Sequence, residues 1–239
     1  PYRDDVIAAI EQLAPKGTVL AGHSMGATVS ILVAGKRTDL VTGLVLADPV
    51  LFEPGFYSKM HWPGMPGMAK KTAKMSKQAR KRRSEFESQS AAVEALTGRG
   101  AFKTWRTPFL DDYVTDGVTQ TSDPDVWRLS CEPEWEAANF GAQRIRPWGA
   151  LKKVEAPTVL IRAEKRSTCP RTAVRRFMRT MPEAVLIEPS GTSHFLPMER
   201  PYAVRDSLSE FLARYVEGFA AGEEGRVQRN LSSTIGEND

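Results

Sequence analysis

The feature that most restricts what this chain can fold into is GTVLAGHSMGATVSILVA, residues 17–34. Three consecutive apolar residues, Val19 to Ala21, lead into Gly22-His23-Ser24-Met25-Gly26, and an apolar, helix-length run follows. The spacing predicts a buried strand, a tight turn at Ser24 and a helix starting directly after it. A turn this sharp strains the serine backbone, and the flanking glycines are expected to be there because side chains would collide. The helix after the turn aims its free N–H groups and positive dipole end at the serine. Ser24 is therefore a candidate nucleophile, and the Met25 N–H a candidate donor to a developing oxyanion.

The rest of the chain repeats this alternation. RDDVIAAIEQLAP carries Val6, Ile7, Ile10 and Leu13 at helical spacing, with Asp4 and Asp5 in its first turn and Pro15 as a stop. VTGLVLAD, APTVLIRA and EAVLIEPS read as further strands. PRTAVRRFMRTM and RPYAVRDSLSEFLARYVEGF read as helices. Strands apolar throughout and alternating with helices predict an α/β protein with a parallel sheet covered on both faces. Between the second and third strands lies a segment of different character. It has Gly-Pro turns in WPGMPG, helical pieces such as SEFESQSAAVEAL and PFLDDYVTDGV, and one weak strand candidate, VWRLSC. The expected organisation is a core from 1–52 and 149–217, a mostly helical insertion at 53–148, and a disordered tail at 218–239.

A serine hydroxyl needs a base to take its proton. The chain has three histidines, His23, His61 and His194. His23 lies inside the turn, where its side chain should point away from Ser24. His61 belongs to the insertion and reads as a surface or lid residue. His194, in SGTSHFLPMERP, follows the last strand. Parallel strands end on one side, so a loop there reaches the same sheet edge as Ser24. His194 is the expected base.

With GHSMGA at 22–27 and HFLPMERP at 194–201, the chain resembles the α/β-hydrolases from about Tyr2 to Val216, the insertion standing where that family has its cap. The resemblance implies a third member, a carboxylate that orients the histidine. Its usual place, after the penultimate strand, is held here by Arg166. Two acids remain open: Asp48, at the tip of the strand that follows the nucleophile strand, and Glu164, two residues before the usual place. Glu199 reads as a structural tie between the histidine loop and the last helix. The resemblance also implies strands and a second oxyanion donor upstream of residue 1. The chain is thus expected to be a fragment of a longer protein or a degraded copy, inactive by itself and with one sheet edge unpaired.

Charge and composition narrow the partners. The net charge is +4, much of it in KKTAKMSKQARKRR, residues 70–83. That run has no interleaved aromatic residues and reads as a solvated helix face, so no nucleic-acid partner is expected. The apolar side chains of the insertion, among them Met60, Met65, Met68, Met75, Phe56, Tyr57, Trp62, Phe102, Trp105 and Trp127, read mainly as its own core. Two distant cysteines give neither a disulfide framework nor a zinc site, and no metal or organic cofactor is implied. No apolar run approaches the roughly 18–20 residues that span a bilayer. A cytoplasmic setting and a small-molecule substrate are the expectation. The expected activity is a serine hydrolase cleaving an ester, thioester or lactone. The alternatives are a non-catalytic binding protein of the same fold, a C–C bond hydrolase or an acyltransferase.

Overall fold

A computed structural model of the chain describes residues 2–55, 66–141 and 146–215. His61, Met60, Met65, Phe56, Tyr57, Trp62 and the expected tail at 218–239 lie outside them. The chain divides into two compact units. Among the described residues, the first comprises 2–50, 149–169 and 174–215, and the second 51–55, 66–141, 146–148 and 170–173.

The first unit is built on a parallel sheet of four strands, β1 Thr18–His23, β2 Val41–Ala47, β3 Thr158–Ile161 and β4 Val185–Ile187, in that spatial order. Its longer helices are α1 Tyr2–Leu13, α2 Met25–Ala34, α3 Arg171–Thr180 from residue 174 onward, and α4 Pro201–Tyr215. These are the expected elements, with shorter strands at β3 and β4. β2 and β3 are buried almost throughout, as residues flanked by strands on both sides should be. β1 is mostly half-buried. The core joins Val45, Ala47, Val159, Ile161, Ala163, Leu196 and Phe211. Gly43 belongs to this packing, because a Cβ there would lie 2.5 Å from the Phe211 ring. Only a residue without a side chain lets α4 approach β2 so closely.

The register of the sheet is what positions the site. β1 pairs with β2 up to His23↔Ala47, and β2 with β3 up to Ala47↔Ile161. The ladder then continues one residue further: the Ser24 N–H donates to the Ala47 carbonyl at 2.9 Å, and the Asp48 N–H to the Ile161 carbonyl at 2.7 Å. Ser24 and Asp48 are therefore the first residues beyond two adjacent strands, at the carboxyl edge of a parallel sheet.

The second unit contains helices at Pro66–Arg80, Gln89–Leu96, Phe109–Gly117 and Pro133–Gly141. It also contains a small antiparallel sheet, Glu85–Phe86, Trp127–Leu129 and Val118–Gln120 in spatial order, which the expectation of a mostly helical insertion did not include. SEFESQSAAVEAL accordingly splits. Glu85 and Phe86 pair with Arg128 and Trp127, and the helix begins after Ser88, whose hydroxyl caps it by accepting from the Ala91 N–H at 3.0 Å. Phe86, Ala92, Val114, Val118 and Leu129 form the core of this part. Phe102, Trp105 and Tyr113 pack ring against ring with centroids 4.7–5.9 Å apart. Lys74, Lys77 and Arg80–Arg83 of the basic run are exposed, while Ser76 and Ala79 face inward and Ser76 donates to the Ala137 carbonyl. The two ends of the unit are tied by the Trp148 indole N–H, which donates to the Phe52 carbonyl at 2.6 Å.

No helix among the described residues is long and apolar enough to cross a membrane.

Candidate active site

Every side chain of the site belongs to the first unit. Ser24 stands between β1 and α2 with φ 56° and ψ −119°, a backbone conformation that costs a non-glycine residue about 1–3 kcal/mol. The strain is held by neighbours on all sides. The Ser24 carbonyl accepts from the Thr28 N–H and hydroxyl, both at 3.2 Å, and the same Thr28 hydroxyl lies 3.1 Å from the Val50 carbonyl. Thr28 is buried and locks the turn to the loop after β2. The two glycines of the motif differ. A Cβ on Gly22 would meet the Ala27 nitrogen and the Gly26 carbonyl carbon, each at 2.6 Å. A Cβ on Gly26 would meet nothing within 4 Å, so the expected collision applies to Gly22 alone.

His194 follows β4, and its ring bridges two of the expected residues. Nε2 lies 2.9 Å from the Ser24 hydroxyl and Nδ1 lies 2.7 Å from Asp48 Oδ2. An ionised carboxylate can only accept, so the proton sits on Nδ1 and leaves Nε2 free to accept from Ser24.

Asp48 is fully buried, at 0% exposure. Burial opposes its charge, but hydrogen bonds outweigh the cost. His194, Ser167 (2.5 Å), and the backbone N–H groups of Thr168 (3.0 Å) and Ala163 (3.1 Å) all point at its two oxygens. Together they hold the carboxyl below its ordinary pKa. The Thr168 hydroxyl adds a contact to the Asp48 carbonyl at 2.9 Å. Asp48 also has positive φ, at 42°, as does Arg166, at 52°. Aspartate tolerates that region better than most residues.

Glu164, the other acid left open, is used elsewhere. Its carboxylate accepts from the Gly191 N–H at 2.6 Å, and its own N–H donates to the Thr192 hydroxyl at 3.2 Å. Of the two acids, the structure brings Asp48 and not Glu164 to His194. Glu199 binds Ser193 twice, through the backbone N–H and the hydroxyl, each at 2.6 Å. It closes the histidine loop on itself from the short helix Leu196–Glu199, just before the last helix. Met25 opens α2, so its N–H is among those without an intrahelical acceptor, directly beside Ser24. No group of three or more His, Cys, Asp or Glu side chains among the described residues could hold a metal ion.

The sequence matches the model of the alpha/beta hydrolase family over residues 1–207. The chain belongs to that family. Among curated proteins it is 24% identical over 225 residues to the uncharacterized hydrolase YugF of Bacillus subtilis (strain 168), covering 87% of this chain and 69% of that one. Among solved structures it is similar to E-2-(acetamidomethylene)succinate hydrolase, with a TM-score of 0.72 and 20% identity over 89% of this chain and 72% of that one. It is also similar to a thioesterase domain from the curacin biosynthetic pathway, with a TM-score of 0.61 and 18% identity over 86% and 70% of the two chains. At such identities the structural likeness speaks for the fold.

Within this alpha/beta hydrolase, three residues gain a place that sequence reasoning did not give them. Ser167 and Thr168 occupy the loop in which the family resemblance implies an acid, and they supply donors to the acid of another loop. The signal, two hydroxyl residues beside Arg166, carries no charge and was invisible without the fold. His23 was expected to point away from Ser24. Its ring has a contact of its own with the His194 backbone, Nε2 lying 2.6 Å from the His194 carbonyl oxygen.

Proposed function

We propose that this protein is a serine hydrolase that cleaves a carboxylic ester, thioester or lactone of a small organic molecule through an acyl-enzyme. The single observation that carries the reading is the continuous hydrogen-bonded chain from Ser24 Oγ through both ring nitrogens of His194 to a buried, ionised Asp48. A binding protein has no use for a nucleophile, a base and an orienting carboxylate in that order and at those distances.

In the proposed reaction His194 Nε2 takes the Ser24 proton as the hydroxyl oxygen attacks the substrate carbonyl. The carbonyl oxygen, now negative, accepts from the Met25 N–H at the start of α2, whose dipole favours that charge. Asp48 keeps the proton of neutral His194 on Nδ1 and stabilises the imidazolium. The imidazolium then protonates the leaving alcohol or thiol, the acyl group stays on Ser24, and a water activated by His194 releases it. The structural likeness to a hydrolase and to a thioesterase domain supports a carbonyl substrate of this kind.

A fluorophosphonate probe tests the reading directly, because it forms a stable bond only with an activated serine. The full-length protein should be labelled on Ser24 and the Ser24→Ala variant not at all. An unlabelled, folded wild type overturns the proposal.

A further inference from the structure

The His194 ring reaches Ser24 only if the backbone that carries it is held at a fixed distance from the elbow. Several groups fix the loop as a whole. Glu199 holds Ser193, and the Lys165 N–H donates to the Thr192 carbonyl at 2.9 Å. These contacts anchor the loop to its own neighbours. None of them refers His194 to the residue it must serve.

His23 does. It is the last residue of β1 and is bonded directly to Ser24. Its Nε2 lies 2.6 Å from the His194 carbonyl oxygen, and the two rings sit with centroids 4.9 Å apart at a tilt of 36°. A carbonyl oxygen can only accept, so His23 carries its proton on Nε2 and donates. Two adjacent residues of one turn thus touch the two ends of the same histidine: Ser24 its ring and His23 its carbonyl.

We propose that His23 is a positioning residue, which fixes the His194 backbone at the distance from the elbow that proton transfer from Ser24 requires. The inference rests on the serine-hydrolase reading above. His23 acts through His194 and touches no reacting atom. Its burial suits the role, because burial favours the neutral ring and pushes its pKa down. A neutral ring keeps the donor on Nε2 without placing a second cation beside the imidazolium that His194 becomes. Ordinary packing would be served equally by any ring of the same size, whereas positioning needs the N–H.

The test uses the full-length protein with p-nitrophenyl acetate as substrate and a fluorophosphonate as covalent probe. His23→Phe keeps a ring and removes the donor. We expect kcat and the labelling rate to fall about 10- to 100-fold, the order of loss that a small misplacement of reacting groups produces. KM should stay within about a factor of two, as it does when an interaction matters in the transition state alone. His23→Gln restores an N–H donor and should recover most of the lost kcat. A His23→Phe variant with wild-type kcat, or a His23→Gln variant as slow as His23→Phe, overturns the inference. A labelled wild type with an unaffected His23→Phe overturns this inference and leaves the hydrolase reading standing, while an unlabelled wild type overturns both. Should His23→Phe fail to fold, nitrogen-15 NMR of wild-type histidine rings decides: the proton on His23 Nε2 is expected, and the Nδ1 tautomer overturns the assignment.

Discussion

Asp48 and His194 are 146 residues apart in the chain and 2.7 Å apart in the fold, carboxylate oxygen to ring nitrogen. The register of the sheet makes this possible, because Asp48 continues β2 by one residue beside Ser24. Asp48→Asn keeps the size of the side chain and presents an amide N–H or a weaker acceptor to Nδ1, which disturbs the tautomer Ser24 needs. Turnover should fall by about 10⁴-fold, the scale seen when such a carboxylate is neutralised. Glu164→Gln should change turnover little, since Glu164 contacts Gly191 and Thr192 rather than the histidine ring. Steady-state kinetics of the two variants with one ester substrate decide between them, and near-normal turnover in Asp48→Asn would remove Asp48 from the reaction.

The two glycines of the elbow should respond oppositely to the same substitution. A methyl group on Gly22 lands 2.6 Å from backbone atoms of α2, which cannot move aside without opening the turn. Gly22→Ala should cost about 1–3 kcal/mol or more, the usual range for overpacking. Gly26 is the second residue of α2 and its Cβ would meet nothing within 4 Å. Gly26→Ala should be stabilising by about 0.4–1 kcal/mol, through the reduced freedom of the unfolded chain. Urea unfolding of both variants measures the difference, and a destabilised Gly26→Ala would show that its surroundings are tighter than described.

This contrast marks where sequence reasoning stops. The strand, the turn and the helix around Ser24 are legible because each has a local signature: apolar run, Gly-x-Ser-x-Gly, apolar run. His194 is legible because parallel strands end on one side, so the loop after any strand is a candidate. The choice between Asp48 and Glu164 is not local. It depends on strand register and on which loop carries donors, and Ser167 and Thr168 look like ordinary loop residues until β2 and β3 are paired. The small sheet of the second unit escaped for a similar reason. Strands of two or three residues have too little pattern to be read, and two of them, Glu85–Phe86 and Trp127–Leu129, pair across a long stretch of chain.

Acid should weaken the fold before most carboxylates titrate. Burial lowers the pKa of His23 from its ordinary 6.5, so the folded state prefers the neutral ring. The sign follows: stability is full above about pH 6.5, where both states hold the ring neutral. It is lost as pH falls toward the folded value, because the unfolded chain binds the proton first. Asp48 acts in the same direction at lower pH. Its folded pKa is below 3.8, so its contribution is present above that value and disappears as the carboxylate is protonated. Urea midpoints between pH 7 and pH 5 should therefore fall for the wild type and fall less steeply for His23→Gln. Parallel curves for the two proteins would show that His23 titrates alike in both states.

The two cysteines should separate cleanly by reactivity. Cys131 is exposed, while Cys169 is buried, its thiol pushed up to about 12 by burial first and then by the nearby charge of Asp48. The thiolate is the reacting species, so at pH 8 Cys169 offers almost none of it, and burial blocks the reagent as well. The Cys169 backbone is also part of the acid cradle, since its N–H donates to the Ser167 hydroxyl at 2.9 Å and its carbonyl accepts from the Arg162 side chain at 2.8 Å. Exposure of this thiol therefore requires opening the loop that holds Asp48. With a disulfide reagent such as DTNB, the native protein should release one equivalent quickly and the second only on unfolding. If the second thiol reacts as fast as the first under native conditions, the Ser167–Cys169 loop opens readily, and the cradle around Asp48 opens with it.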